Sequence, residues 1–340
     1  MKRRAVTVAL ALALGASVLL AVGLGTVWIS PATTVRLVGW KLGLAGPPQG
    51  VPAAAAVILF DLRIPRVVLG MVVGAALAVS GTLFQAMFRN PMADPAIIGV
   101  SSGAALGAIA VILVTGMAGG VLVAGAAFAG ATAVAFLVYR LARIGPAVQV
   151  ATLLLAGIAV AAVISAVISL VMAFSGQQIR SIYFWLLGGL QARGWQAVTA
   201  SSPLVAVGIV VALATVRDLN VVALGEERAA QLGVEVERFK RVTLATGALL
   251  AAAAVSVAGV IGFVGLMTPH ILRLLLGADH RRLLPATVLG GATLMVLADL
   301  AARTVLAPEE IPVGAVTALL GGPFFLYLLR RERVSAGARA

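Results

Sequence analysis

Few side chains in this 340-residue sequence could do covalent chemistry. There is no cysteine, which removes thiolate nucleophiles, thiolate metal sites and disulfides and leaves the redox compartment open. The two histidines, His270 and His280, stand ten residues apart, and no HExxH pair is present, so a histidine metal site or histidine catalysis has little to build on. No GxxxxGK[ST] loop occurs, so the chain does not cradle nucleotide phosphates itself. No catalytic residue and no metal-ligand set is nominated.

What remains is charge in unusual places. The composition is 61% hydrophobic and 11% charged, against about 25% charged in soluble domains, and the mean hydropathy is +1.11. Lipid must be the solvent for most of such a chain. The net charge of +13 does not indicate nucleic acid, because the basic residues sit at the ends of apolar runs and form no continuous stripe. Asp299 is the one carboxylate inside an apolar run; Arg303, four residues on, is its local partner. A proton-coupled carrier would show more intramembrane carboxylates.

The elements that position these groups are membrane spans of about 20 residues. They fall near 5–29, 66–88, 96–115, 119–141, 148–174, 197–216, 242–262, 268–277, 284–306 and 312–329. "MKRR" before the first span reads as the inner flank of a retained helix rather than a cleaved signal. With both termini in the cytoplasm, eighteen of the 25 basic residues lie inside, Arg339 and the Arg140, Arg143, Arg238 and Arg241 group among them. Arg36, Lys41, Arg63, Arg66, Arg180, Arg193 and Arg303 are left outside and need a separate reason.

"RNPMADP" reads as a tight inner turn, with Pro91 ending one span and Asp94-Pro95 capping the next. "MTPHILRLLLG" suggests a similar start, with Thr268 as cap and Pro269 at the first helical position. Gly81 precedes Pro91 by ten residues, as Gly259 precedes Pro269, which hints at an inverted repeat of spans 2–5 and 7–10. The longest polar segment, 217–241, holds a short helix with Glu226 and Glu227 in its first turn, Ala229, Ala230 and Leu232 as a small apolar face, and Gly233 as its stop. The residues alone leave it either a solvated loop helix or a docking helix.

Six segments then carry a resemblance: "RIPRVVLGMVVGAALAVSGTLFQAMFRNPMADPAIIGVSSGAALGA" (63–108), "FWLLGGL" (184–190), "LGEERAAQLGV" (224–234), "GFVGLMTPHILRLLLGADHRRLLP" (262–285), "ADLAAR" (298–303) and "EIPVGAVTALLGGPFFLYLLRR" (310–331). In this order they resemble the permease subunit of a type II ABC importer, the family that takes up iron–siderophores, haem and vitamin B12. The first 60 residues carry little of the match. The resemblance implies an all-α polytopic fold of about ten transmembrane helices in inverted repeats, forming one domain over 1–340 in the inner (plasma) membrane. It also implies a second permease copy, giving a homodimer, together with two cytoplasmic ATPase subunits that bind ATP-Mg and an external substrate-binding protein. This chain would bind no cofactor.

By the same resemblance, Arg63, Arg66 and Arg303 meet glutamates of the binding protein. Leu224, Gly225, Glu226, Glu227, Ala229, Leu232 and Gly233 form the coupling helix seated on the ATPase. The pathway lies along span 5, the segment after it and span 10. Arg180 is either a contact for an anionic chelate or an interfacial arginine, and Gln85 either a gate contact or a packing hydrogen bond. The alternative class is a stand-alone secondary transporter driven by an ion gradient.

Overall fold

The structure, a computed structural model, describes residues 2–25, 27–46, 50–145 and 147–337. Arg339, assigned above to the inner side, lies outside them. Helix α1 (Lys2–Gly23) is followed by a short α2 (Pro31–Lys41). α3 (Ala53–Val57) runs through a π-helical stretch, Ile58–Arg63, into α4 (Ile64–Met87). After the 3-10 turn Pro95–Ile98 come α5 (Val100–Thr115) and α6 (Val121–Ala142). A hairpin of two-residue strands, Arg143–Ile144 and Ala147–Val148, leads into α7 (Val150–Phe174). Then follow α8 (Ile179–Leu186), α9 (Trp195–Ala214), α10 (Val216–Val222) and α11 (Glu226–Gln231). The chain ends with α12 (Val236–Ala258), α13 (Val264–Leu276), α14 (His280–Thr304) and α15 (Val313–Gly337).

Among the described residues, seven helices are long and apolar enough to cross a membrane: α1, the α3–α4 rod, α6, α7, α9, α12 and α14. Three shorter apolar helices, α5, α13 and α15, bring the set to the ten expected. Three details differ from the sequence reading. The second span begins at Ala53, not 66, because the chain stays helical through the π stretch and places Arg63 within the rod. The helix read as starting at Thr268-Pro269 starts at Val264, and Pro269 lies inside it. α2 and α8 are extra helices; Ser30, which accepts the Thr33 N–H, and Pro31 are the cap signals that mark α2.

α4 is the hub, buried along nearly its whole length. Without a hydrophobic force between helices in lipid, association depends on close backbone packing and polar glue. Gly74 lies against the backbone of Gly291 in α14, and Gly81 against that of Gly265 in α13. Ser80 Oγ donates to Gly247 O of α12 at 2.7 Å, and Thr82 Oγ1 lies 3.3 Å from Thr287 Oγ1 of α14.

The neighbours are exchanged in pairs. α4 packs on α13 and α14, as α12 packs on α5 and α6; α5 and α6 pack on each other and on α7, as α13 and α14 do with each other and α15. Four crossings, α5, α6, α7 and α9, lie between α4 and α12, so the two units run in opposite senses, as an inverted repeat requires. The local likeness of Pro91 and Pro269 is not part of it: Pro91 sits in a turn, Pro269 in a helix.

A Cβ at position 81 would overlap the Gly265 carbonyl. Gly81→Val is therefore expected to force α4 from α13 and to cost about 3 kcal/mol or more. Gly15, with open space around it, tolerates alanine. Monodisperse yield and thermal unfolding of the detergent-purified variants check the contrast.

Candidate functional site

Two polar regions stand out, one at each end of the α4 rod. At the start of α4 the predicted docking arginines come together. Arg63, Arg66 and Arg303 line one cavity of about 870 Å³, with Asp61, Arg193 and Glu310. They are held by the protein itself. Arg66 Nε donates to both Asp299 oxygens at 3.0 Å, and its Nη1 to Glu310 at 3.0 and 3.1 Å. Arg303 Nε lies 3.6 Å from Asp299 Oδ2. Asp299 is only 2% exposed, so it is a buried carboxylate between two guanidiniums.

Arg63 and Arg303 also answer a backbone need. The last carbonyls of a helix have no partner within it and carry the negative end of the dipole. Arg63 Nη1 donates to Val22 O and Gly23 O, both at 2.9 Å, its Nη2 donates to Val27 O, and Arg303 Nη2 donates to Ala21 O. The two side chains thus close the C-terminus of α1. This gives Arg63 and Arg303, two of the seven outer basic residues, a structural reason. Arg180 is exposed on α8, with its guanidinium 5.8 Å from the Phe184 ring centre; Phe184 lines the same cavity.

About 29 Å away along α4, Gln85 is 2% exposed. Pro269 has no N–H to give the Gly265 carbonyl four residues back. Gln85 Nε2 donates there at 3.4 Å and to Leu266 O at 3.3 Å, while its Oε1 accepts from Arg273 at 3.0 Å. These are the contacts that the packing reading of Gln85 called for. In the nearby turn, Asp94 accepts the Ala96 N–H at 2.8 Å, as its cap role required.

The 217–241 segment forms α10 and α11. Glu226 and Glu227 occupy the first turn of α11. Its end is a Schellman motif: Gly233 N–H bonds Ala230 O and Val234 N–H bonds Ala229 O, both at 3.0 Å, with Gly233 at φ +82°. Ala229 is fully buried, whereas Leu224 and Leu232 are 56% and 57% exposed. The predicted apolar face of Ala229, Ala230 and Leu232 is therefore split. Ala229 seats the helix, while Ala230 and the flanking leucines are exposed.

Two clamps fix this segment. Lys240 Nζ reaches Glu226 Oε2 at 2.7 Å, Glu237 Oε1 at 3.2 Å and Val148 O at 3.3 Å, and Glu237 Oε2 accepts the Val148 N–H at 2.9 Å. Asn220 donates to Asp279 Oδ1 at 2.8 Å and accepts the His280 N–H at 2.9 Å. The Arg281 N–H and the Asn220 amide hold the Asp279 carboxyl below the usual carboxylate range.

Sequence reasoning missed Glu310 and Asn220. It counted Arg193, Lys240 and Arg273 only toward topology. "GVSSG" at 99–103 spells the G-x-S-x-G of a hydrolase elbow, but a 3-10 turn precedes it where the elbow needs a strand. No group of three or more metal-ligating side chains occurs among the described residues.

The profile of the FecCD transport family matches residues 12–331. The chain belongs to the FecCD transport family. It is 50% identical over 299 residues to the cobalamin import system permease protein BtuC of Halobacterium salinarum, covering 87% of this chain and 79% of that one. It is 45% identical over 282 residues to the hemin transport system permease protein HmuU of Yersinia pestis, covering 81% and 84%. It is 35% identical over 313 residues to the Fe(3+)-citrate import system permease protein YfmE of Bacillus subtilis, covering 92% and 91%. A solved inward-facing structure of a metal-chelate type ABC transporter superposes with a TM-score of 0.84 at 30% identity, over 96% of this chain and 99% of that one. The family fold is thus that of a type II ABC importer permease, as the six motifs implied.

Removing Arg66 strands a buried carboxylate. Arg66→Met should cost about 3–5 kcal/mol, and Asp299→Leu placed on top of it should restore much of the loss; denaturant unfolding of the single and double variants measures this. Gln85→Leu leaves Arg273 and the Pro269-freed carbonyl unpaired and should cost about 1–3 kcal/mol by the same assay.

Proposed function

We propose that this chain is the permease subunit of an ATP-driven importer of a metal chelate of the cobalamin, haem or ferric-citrate kind, with iron–siderophores in the same class. The observation that carries the proposal is α11. It is a capped helix, clamped to α12 through Glu226 and Lys240 and preceded by α10, which Asn220 ties to the start of α14, and it is flanked by two exposed leucines. A helix so anchored at its root and apolar at its face suits seating on a rigid partner. The relatives share one substrate chemistry, a metal ion enclosed in an organic ligand.

In this reading the α11 end faces the cytoplasm, as do both termini, in the plasma membrane. Two ATPase subunits with ATP-Mg take α11, with Leu224, Gly225, Glu226, Glu227, Ala229, Leu232 and Gly233 as the coupling unit. A binding protein approaches the opposite end, where the rim of the Arg63–Arg66–Arg303 cavity meets its carboxylates. Glu310, 30% exposed at the side chain, is the internal carboxylate nearest that exchange. A second copy packs on the exposed apolar faces of α7 and α15, where Leu155, Ile158, Leu319 and Leu326 are all at least 60% exposed. The pathway runs between the copies, and Arg180 stands at its external mouth. A proton-coupled form of the secondary-transporter alternative would use a carboxylate in the membrane, and Asp299 is ion-paired with Arg66 and Arg303.

The test is co-reconstitution of the permease with its ATPase and binding protein in liposomes. Cyanocobalamin, hemin and ferric citrate are offered in turn, with and without ATP. Uptake of one chelate that requires ATP and the binding protein is expected; uptake by the permease alone under an ion gradient refutes the reading. Gly233→Val, strained at φ +82°, should leave hydrolysis running while uptake falls about tenfold.

A further inference from the structure

α6 and α12 lie side by side and antiparallel, and a slot of about 530 Å³ opens between them. Phe128, Thr132, Phe136 and Tyr139 recur at spacings of four, four and three, forming one face of α6. Arg241, Leu244 and Ala248 recur at three and four on α12. The wall from Phe128 to Tyr139 is about 16 Å long. It runs along two membrane-spanning segments and opens to the surface, where Phe136 is 61% exposed. Thr132 already gives its hydroxyl to Phe128 O at 2.8 Å, so the slot offers apolar contact over most of its length.

Its polar groups gather at one end. Tyr139 and Arg241 close the slot there, and Arg140 lies just beyond, its guanidinium 5.9 Å from the Phe136 ring centre. Neither Arg140 nor Arg241 has a carboxylate at ion-pair distance among the described residues. The nearby acid, Glu237, is committed to Lys240 and the Val148 N–H, and Arg241 Nε reaches only the Glu237 backbone oxygen at 3.3 Å. The slot thus offers an apolar run ending in two uncompensated guanidiniums and a phenol, where α6 ends and α12 begins. That end is the level of the phospholipid headgroups. A guanidinium binds phosphate oxygens in pairs and never loses its charge. Basic pockets between transmembrane helices select anionic headgroups.

We propose that this slot is a binding site for one anionic phospholipid, with an acyl chain between Phe128 and Ala248 and the headgroup phosphate on Arg241 and Arg140. A zwitterionic lipid brings its own cation and gains less from the two arginines. A second protein chain filling the slot is the competing occupant.

The full chain is purified in detergent, stripped of lipid, and titrated with phosphatidylglycerol or phosphatidylcholine under native mass spectrometry. Wild type should take up one phosphatidylglycerol in preference to phosphatidylcholine by about tenfold. Arg140→Gln with Arg241→Gln should erase the preference while leaving weak binding of both lipids. Ala248→Trp should fill the slot and remove the tight site for either lipid; a monodisperse elution profile guards against misfolding. An absent preference in wild type overturns the proposal, as does a preference that survives both changes. Loss of a chain–chain complex on Ala248→Trp overturns it in favour of a protein occupant.

Discussion

The architecture depends on how closely α4 can approach two other backbones. Water expels apolar helices from itself, but hydrocarbon does not distinguish a helix from a lipid tail. Contact in the bilayer must therefore come from dispersion and from polar groups that find no other partner. Gly74 against Gly291 and Gly81 against Gly265 permit that proximity. At the second crossing the proximity has a further effect. It brings the Gln85 amide to the carbonyl that Pro269 leaves without a donor. The missing N–H, the missing side chains and the glutamine belong to one local solution.

Charge is placed by the same logic. At the start of α4 the arginines close the end of α1 and surround Asp299, so that Arg63, Arg66 and Arg303, which line the cavity, are held by carbonyls or carboxylates of the chain itself. At the other end Lys240 and Asn220 each join a membrane helix to the segment that leaves the membrane. Both regions are multi-helix junctions and not isolated ion pairs. A single surface pair would contribute little.

Much of this was legible in the sequence, and the limits have physical causes. Hydropathy revealed ten spans because a bilayer imposes a length that globular cores do not. The Asp94-Pro95 cap and the Gly233 stop were readable because they are interactions across two to five residues. Arg66 with Asp299 was not, because 233 residues separate them and only the packing of α4 on α14 unites them. Pro269 was misplaced for a related reason. A proline within the first turns of a helix looks like a helix start unless the glutamine that compensates it is known to be near. The inverted repeat was visible as a faint glycine–proline spacing, yet it is expressed in exchanged neighbours and not in matching turns.

Lys240 has a mechanical corollary. Its ammonium grips α11, the root of α12 and the carbonyl two residues before α7 at once. α12 is enclosed by its neighbours within one copy, whereas α7 keeps the bare outward face assigned above to a second copy, so one ammonium joins α11 both to the interior of the bundle and to the helix at its margin.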